Sequence, residues 1–181
     1  MSKKPLRVVL DANVLYPFSL RDTLLRAAEA GLYQLLWSDE ILEETRRNLA
    51  TRLDPAVADR LVVLMKTAFP EAEVEGYEPL VQTQKNHPKD RHVAAVAEKA
   101  SAEWIVTQNL RDFRVLPAGI RAQSPDDFLC SLFERAAEAM LVLIREQAKA
   151  LRNPPVSVER LLDGLHKTVP KFAGIIRTRL R

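Results

Sequence analysis

Arg7-Val-Val-Leu-Asp11-Ala-Asn13 is the stretch on which the fold turns. Its apolar residues run without polar alternation, the pattern of a strand buried on both faces of a parallel sheet, and Asp11 emerges at the sheet's carboxyl edge. Outward from it, Ser19-x-x-Asp22 resembles a capping box opening a helix that Gly31 stops. Tyr33–Trp37 reads as a second strand, Ser38 caps a helix carrying Ile41, Leu42, Thr45 and Leu49, and Asp54-Pro55 opens another. A short strand is expected at Tyr77–Val81 and a helix after Pro88, capped by Asn86 or His87. Trp104–Thr107 is a third buried strand, and Ile120–Ala122 a short edge strand. Strands alternating with helices predict a three-layer α/β/α parallel-sheet domain over residues 1–123. Residues 124–181 read as an all-helical C-terminal extension. It begins with one helix of about 27 residues, or about 40 Å, from Ser124 to Pro154. Two shorter amphipathic helices follow Ser157 and Pro170.

The chain has 181 residues, 47% of them apolar, with 27 Lys plus Arg against 24 Asp plus Glu. That composition excludes disorder, collagen and a disulfide mini-protein. The run Ala139–Ile144 is far short of a bilayer span, and the residues after Lys3 and Lys4 are too few for a secretory signal, so a cytoplasmic location is expected. The single Cys130, amid apolar neighbours, is read as a small core thiol. Residues 1–125 carry 17 basic and 17 acidic side chains, and 126–181 carry 10 and 7. In the tail, Arg152, Arg160, Lys167, Lys171, Arg177, Arg179 and Arg181 face Glu159 and Asp163, a balance that suits nucleic acid, an acidic partner or a solvated helix face.

Ligands of an open parallel sheet lie beyond the carboxyl ends of its strands. Asp11 follows the first strand, Asn109 and Asp112 follow the third, and Glu43 and Glu44 lie in the first turns after Ser38. Asp90 opens the helix that leads into the third strand. Asp11, Glu44, Asp90 and Asp112 can thus converge, and such a cluster demands raised pKa values or a hard divalent cation. With no His or Cys in ligand spacing, all-oxygen ligation favours Mg²⁺ or Mn²⁺ over Zn²⁺. Ions so held can activate water and orient a phosphodiester, the chemistry of a nuclease. Each acid alone has a duller reading as a cap, a first-turn acid or a surface charge. His87 and His92 flank Asp90 and read as loop and helix-surface histidines, with a metal role open. Arg111 and Arg114 can grip RNA phosphates or serve as surface charges, and Trp37 and Trp104 suit a strand core better than base stacking. An aspartyl-phosphate enzyme also places Asp after its first strand, but Asp11-Ala-Asn13 lacks the second carboxylate of Asp-x-Asp.

Val8-Val-Leu-Asp11-Ala-Asn13-Val-Leu15, Ser38-x-x-Ile-Leu-Glu-Glu44, Pro88-Lys-Asp90-Arg-His92 and Ile105-Val-Thr107-Gln-Asn109-Leu-Arg-Asp112-Phe113 resemble, in order and spacing, the motifs of PIN domain proteins over about residues 6–123. The resemblance implies a metal-dependent ribonuclease whose acidic quartet is matched by Asp11, Glu44, Asp90 and Asp112, with Asn13 and Thr107 as polar supports. Asn109 stands where many relatives have an acid, so Asn109 or Asp112 completes the site, as Glu43 or Glu44 does. The helical tail is similar to the extension of one subgroup of VapC-type toxins. That likeness implies a cognate antitoxin as partner; RNA as substrate follows from the PIN resemblance, a homodimer is one assembly open to the chain, and the lack of a bilayer-length apolar run predicts no membrane association. A catalytically silent RNA- or protein-binding module on the same fold is the alternative.

Overall fold

A computed structural model describes residues 5–180; Lys3, Lys4 and Arg181 lie outside the described residues. Strand β1 (Arg7–Leu10) lies inside a four-stranded parallel sheet of order β2-β1-β3-β4, with β2 at Gln34–Leu36, β3 at Trp104–Val106 and β4 at Arg121–Gln123. Val8 pairs with Leu35 on one side and Trp104 on the other, and Val9 with Leu36 and Ile105. Val8, Val9, Leu10, Ile105 and Val106 are fully buried, as a sheet covered on both faces requires. The flanking helices are α1 (Ala12–Leu15), α3 (Asp39–Ala50), α4 (Pro55–Ala68), α5 (Glu78–Val81) and α6 (Arg91–Lys99). The remaining helices are α2 (Phe18–Glu29), α7 (Pro125–Arg135), α8 (Ala137–Ala150), α9 (Val158–His166) and α10 (Pro170–Arg179). The expected parallel α/β architecture with a helical C-terminal region is therefore present.

The chain divides into two compact units. The first joins the residues up to Tyr16 to Tyr33–Gln123, and the second joins Pro17–Leu32 to the helices after Ser124. Among the described residues, no helix is long and apolar enough to cross a membrane.

Four local readings change. Ser19 and Asp22 cap nothing, because α2 starts earlier, after Pro17; Asp22 instead pairs with Arg26 one turn on, at 3.1 Å. Tyr77–Val81 holds the short helix α5, whose first turn accepts Pro79, a residue that cannot donate to a sheet ladder. The helix after Pro88 is preceded by a 3₁₀ turn, Pro88–Asp90. The long C-terminal helix is two, α7 and α8, broken at Ala136 with φ −149° and ψ 53°. The buried positions Leu129, Leu132, Phe133, Met140, Leu143 and Ile144 keep helical spacing across the break, so periodicity joins what the backbone separates.

The second unit is held by polar groups placed from a distance. Gln147 is fully buried; its Oε1 accepts from Thr23 Oγ1 at 2.8 Å, and its Nε2 donates to the Ser19 carbonyl at 3.1 Å. Helix α10 has no side-chain cap of its own. Asp126, from the first turn of α7 and 8% exposed, accepts from the Lys171 and Phe172 amides at 3.1 and 2.9 Å. Of the tail cations, Lys171 pairs with Asp127 at 2.8 Å, Arg177 bridges Glu159 and Asp163 at 3.0 and 2.8 Å, and Arg179 lies over the Phe133 ring. Arg152, Arg160 and Lys167 are exposed, with no ion pair among the described residues. Cys130 is half-buried rather than deep in the core, and burial pushes its thiol up to about 11. Replacing Asp126 by Ala strips two amides of their acceptor and removes a capping charge, so denaturant unfolding should show a loss of about 2 kcal/mol. Asp127→Ala, which removes a surface ion pair and a Ser124 contact, should cost about 1 kcal/mol or less.

Candidate active site

The site grows from the end of β1. Asp11 is 4% exposed and is the N-cap residue of α1: its Oδ1 accepts from the Ala12 amide at 2.8 Å. Its Oδ2 accepts from Asn13 Nδ2 at 2.8 Å and from Thr107 Oγ1 at 2.7 Å. Thr107, fully buried, follows β3, and its hydroxyl oxygen also accepts the Asn109 amide at 3.0 Å. Asn13 closes the ring, with its Oδ1 accepting the Gln108 amide at 2.9 Å. Asn13 and Thr107 thus fix Asp11, and the parallel β1–β3 pairing makes this possible by ending both strands at one edge.

Two other carboxylates, Asp90 and Glu44, lie near enough for their charges to act on Asp11. Burial pushes Asp11 up from its ordinary value of 3.8 to about 6, and the charges of Asp90 and Glu44 add to the rise against the donation from Thr107. Burial likewise raises Asp90, helped by a hydrogen bond to Asp112 and by the charges of Asp112 and Glu44. Asp90 closes the 3₁₀ turn, where Asn86 Nδ2 donates to its carbonyl at 2.9 Å. Asp112 sits in a second 3₁₀ turn, Leu110–Phe113, with a side-chain hydrogen bond from Asn109.

The open alternatives differ in their surroundings. Glu43 turns outward on α3 and pairs with Arg46 through two 2.7 Å contacts, whereas Glu44, one residue on, is the acid whose charge acts on Asp11 and Asp90. Asn109 and Asp112 are hydrogen-bonded neighbours, and Asp112 is the one beside Asp90. Arg111 and Arg114 are exposed around the second 3₁₀ turn. Trp37 is fully buried, edge-on to Phe69 at 5.9 Å, and Trp104 is half-buried beneath the Arg121 guanidinium.

Of the two histidines, His92 differs from its sequence reading and His87 keeps it. His92 is 7% exposed, not a surface residue. Its Nδ1 lies 3.1 Å from the Lys89 carbonyl, which only accepts, so Nδ1 carries the hydrogen; the buried Nε2 lies 3.8 Å from Glu44 Oε2. His87 is exposed, yet one ligand atom from each of His87, Asp90 and Asp112 lies within 4.8 Å of the others. A three-residue spacing was the available signal, since positions i and i+3 eclipse in a 3₁₀ turn.

The ligand atoms that lie together are those of His87, Asp90 and Asp112, whereas Asp11 and Glu44 are outside that group and act on Asp90 or on each other by charge. The raised, clustered carboxyls fit a dication that compensates them.

Comparison with known proteins places this geometry. A family model described as "PIN domain" matches residues 7–111, and one described as "VapC50 C-terminal domain" matches 125–178. The first match includes Asp11, Glu44 and Asp90 and stops one residue before Asp112. The chain is 41% identical over 105 residues to the curated "Putative ribonuclease VapC50" of Mycobacterium tuberculosis (strain ATCC 25618 / H37Rv). That stretch covers 56% of this chain and 62% of the relative, less than two thirds of its length. No solved structure matches. Since the first model spans more than half of the residues, from β1 through the loop after β3, the chain belongs to the PIN domain family.

Proposed function

We propose that the protein is a divalent-metal-dependent endoribonuclease, the toxin of a toxin–antitoxin pair, using Mg²⁺ or Mn²⁺ held by Asp11, Glu44, Asp90 and Asp112. The observation that carries this reading is the pair of buried carboxyls Asp11 and Asp90, each raised by burial and by neighbouring acids, with Glu44 acting on both and Asp112 hydrogen-bonded to Asp90. Kinship with a curated protein named as a ribonuclease supports it. A bound dication there would supply Lewis-acid polarisation of a phosphodiester oxygen and compensation of the clustered negative charge. The protein's own residues orient it. Thr107 and Asn13 aim Asp11, Asn109 restrains Asp112, and Arg111 and Arg114 offer guanidinium groups for the phosphates flanking the scissile bond. We assign this chemistry to residues 1–123, and we assign partner recognition to the helices over 124–181, with a VapB-like antitoxin and a second copy of the chain as the partners of choice. The silent-module reading has the weaker footing, because buried carboxylates cost stability without serving a phosphate ligand.

RNA cleavage by the purified protein should require Mg²⁺ or Mn²⁺ and stop in EDTA, and Asp11→Asn and Asp90→Asn should each lower it by about a hundredfold or more. Activity that survives chelation, or mutants as active as wild type, would leave the silent module standing. Arg111→Ala and Arg114→Ala should each weaken RNA binding at every sequence and flatten its salt dependence by about one counterion.

The raised Asp11 carboxyl makes stability pH-dependent. Between 3.8 and about 6 the folded chain holds a proton that the unfolded chain has released, so metal-free stability falls as pH rises through that window. The loss attributable to Asp11 is on the order of 3 kcal/mol. Thermal unfolding in EDTA should therefore show a steeper decline from pH 4 to 6 for wild type than for Asp11→Asn. Added Mn²⁺ should raise the wild-type midpoint more at pH 7 than at pH 4.5.

A further inference from the structure

His87 stands apart from the other groups around the carboxylates because its ring is free to act. It occupies the position before the 3₁₀ turn Pro88–Asp90 but makes no side-chain capping bond there. Its backbone, by contrast, is pinned at both ends. The His87 amide donates to the Asp112 carbonyl at 3.0 Å, and the His87 carbonyl accepts the Asp90 amide at 2.9 Å. Those two bonds tie together the loops bearing Asp90 and Asp112 and bring a ring nitrogen to the carboxylates, with one ligand atom from each residue inside a 4.8 Å span. Two ligands about 2.1 Å from a shared ion are at most about 4.2 Å apart, so a slight inward adjustment of these side chains brings all three onto one ion. His92 does not compete for the role: its Nδ1 is committed to the Lys89 carbonyl, and its Nε2 is buried before Glu44.

We propose that His87 is a nitrogen ligand completing a His87–Asp90–Asp112 metal position, and that this position selects a first-row transition dication, Mn²⁺ over Mg²⁺. The choice follows from ligand chemistry. An imidazole gains little from Mg²⁺, which prefers oxygen and retains its waters, whereas transition ions accept nitrogen readily. The inference rests on the metal-nuclease reading above and adds to it the identity of one ligand and of the ion it favours. His87 also gives the position a neutral donor, so an ion can be held without a further carboxylate crowding Asp90 and Asp112.

The test is metal binding by the full chain, read without RNA. Calorimetric titrations with MnCl₂ and with MgCl₂ would compare wild type, His87→Asn, His92→Asn and Asp90→Asn, and pulsed electron paramagnetic resonance of the Mn²⁺ form would look for nitrogen coupling. His87 is an exposed loop residue, so its replacement should leave the fold intact, which a matching melting curve in EDTA checks. The expected result is a nitrogen coupling in wild type and in His92→Asn that disappears in His87→Asn. Mn²⁺ affinity should fall about tenfold in His87→Asn while Mg²⁺ affinity changes by less than about twofold. No nitrogen coupling in the Mn²⁺-loaded wild type, coupling that persists in His87→Asn, or an unchanged Mn²⁺ affinity overturns the assignment. If Asp90→Asn abolishes binding while His87→Asn does not alter it, only the histidine ligand fails. If wild type binds neither ion, the metal-nuclease reading falls and the ligand with it.

Discussion

An ionised carboxylate taken out of water is among the most expensive groups a small domain can hold, and Asp11 is 4% exposed at the end of a central strand. Three donors offset the expense: the Ala12 amide, Asn13 Nδ2 and Thr107 Oγ1. Hydrogen bonds to a charged acceptor contribute about 1.5–3 kcal/mol each, enough to rival the desolvation but not to overcome it here. Burial wins, since the carboxyl still rises to about 6, and Asp90 and Glu44 add their repulsion. The sheet order is therefore a precondition of the site. Thr107 reaches Asp11 only because β3 lies directly beside β1, and any crossover that separated those strands would leave the acid with its local donors alone.

Asp90 and Asp112 are brought in by backbone rather than by side-chain packing. The His87 amide bonded to the Asp112 carbonyl bridges two loops far apart in sequence, and Asn86 holds the Asp90 carbonyl from within its own loop. Short 3₁₀ turns suit this task, because their tight pitch stacks side chains three residues apart on one side. Asp90 and Asp112 each lie in such a turn and face each other.

What could be read from the sequence was whatever depends on near neighbours. Val8-Val-Leu10 before Asp11 announced a buried strand and its exit, and Ser38 and Asp54 announced helix starts that the backbone honours. The choice between Glu43 and Glu44 stayed open because adjacent helical residues point about 100° apart and either can face inward until the helix is docked. Docked, α3 gives Glu43 to Arg46 and leaves Glu44 by His92. Distant partners left no mark. Nothing near Val169 or Pro170 tells that Asp126 caps α10, nothing near Ala136 signals a break, and nothing beside His92 announces its burial next to Glu40 and Glu44 of α3. For His87 the chain shows only its three-residue spacing to Asp90, whereas Asp112, 25 residues on, arrives through a backbone hydrogen bond.

Charge shows the same difference between inventory and arrangement. The tail's surplus of cations shrinks once Lys171 is paired with Asp127 and Arg177 with both Glu159 and Asp163, leaving Arg152, Arg160 and Lys167 as exposed charges without ion pairs among the described residues. In the α/β unit the imbalance is local and opposite in sign, since acids gather around Asp11 and Asp90 at the edge where β1 ends, while Arg111 and Arg114 stand exposed on either side of Asp112 in the chain. A polyanion approaching that edge meets attraction and repulsion within a few residues of each other. On the nuclease reading, an ion that neutralises the carboxylates removes the repulsion and leaves the arginines to act, so metal and RNA must strengthen each other's binding by one and the same factor. The acidic cluster then serves as a gate as well as a ligand set: the phosphodiester is admitted in proportion to the occupancy of the ion that its hydrolysis needs.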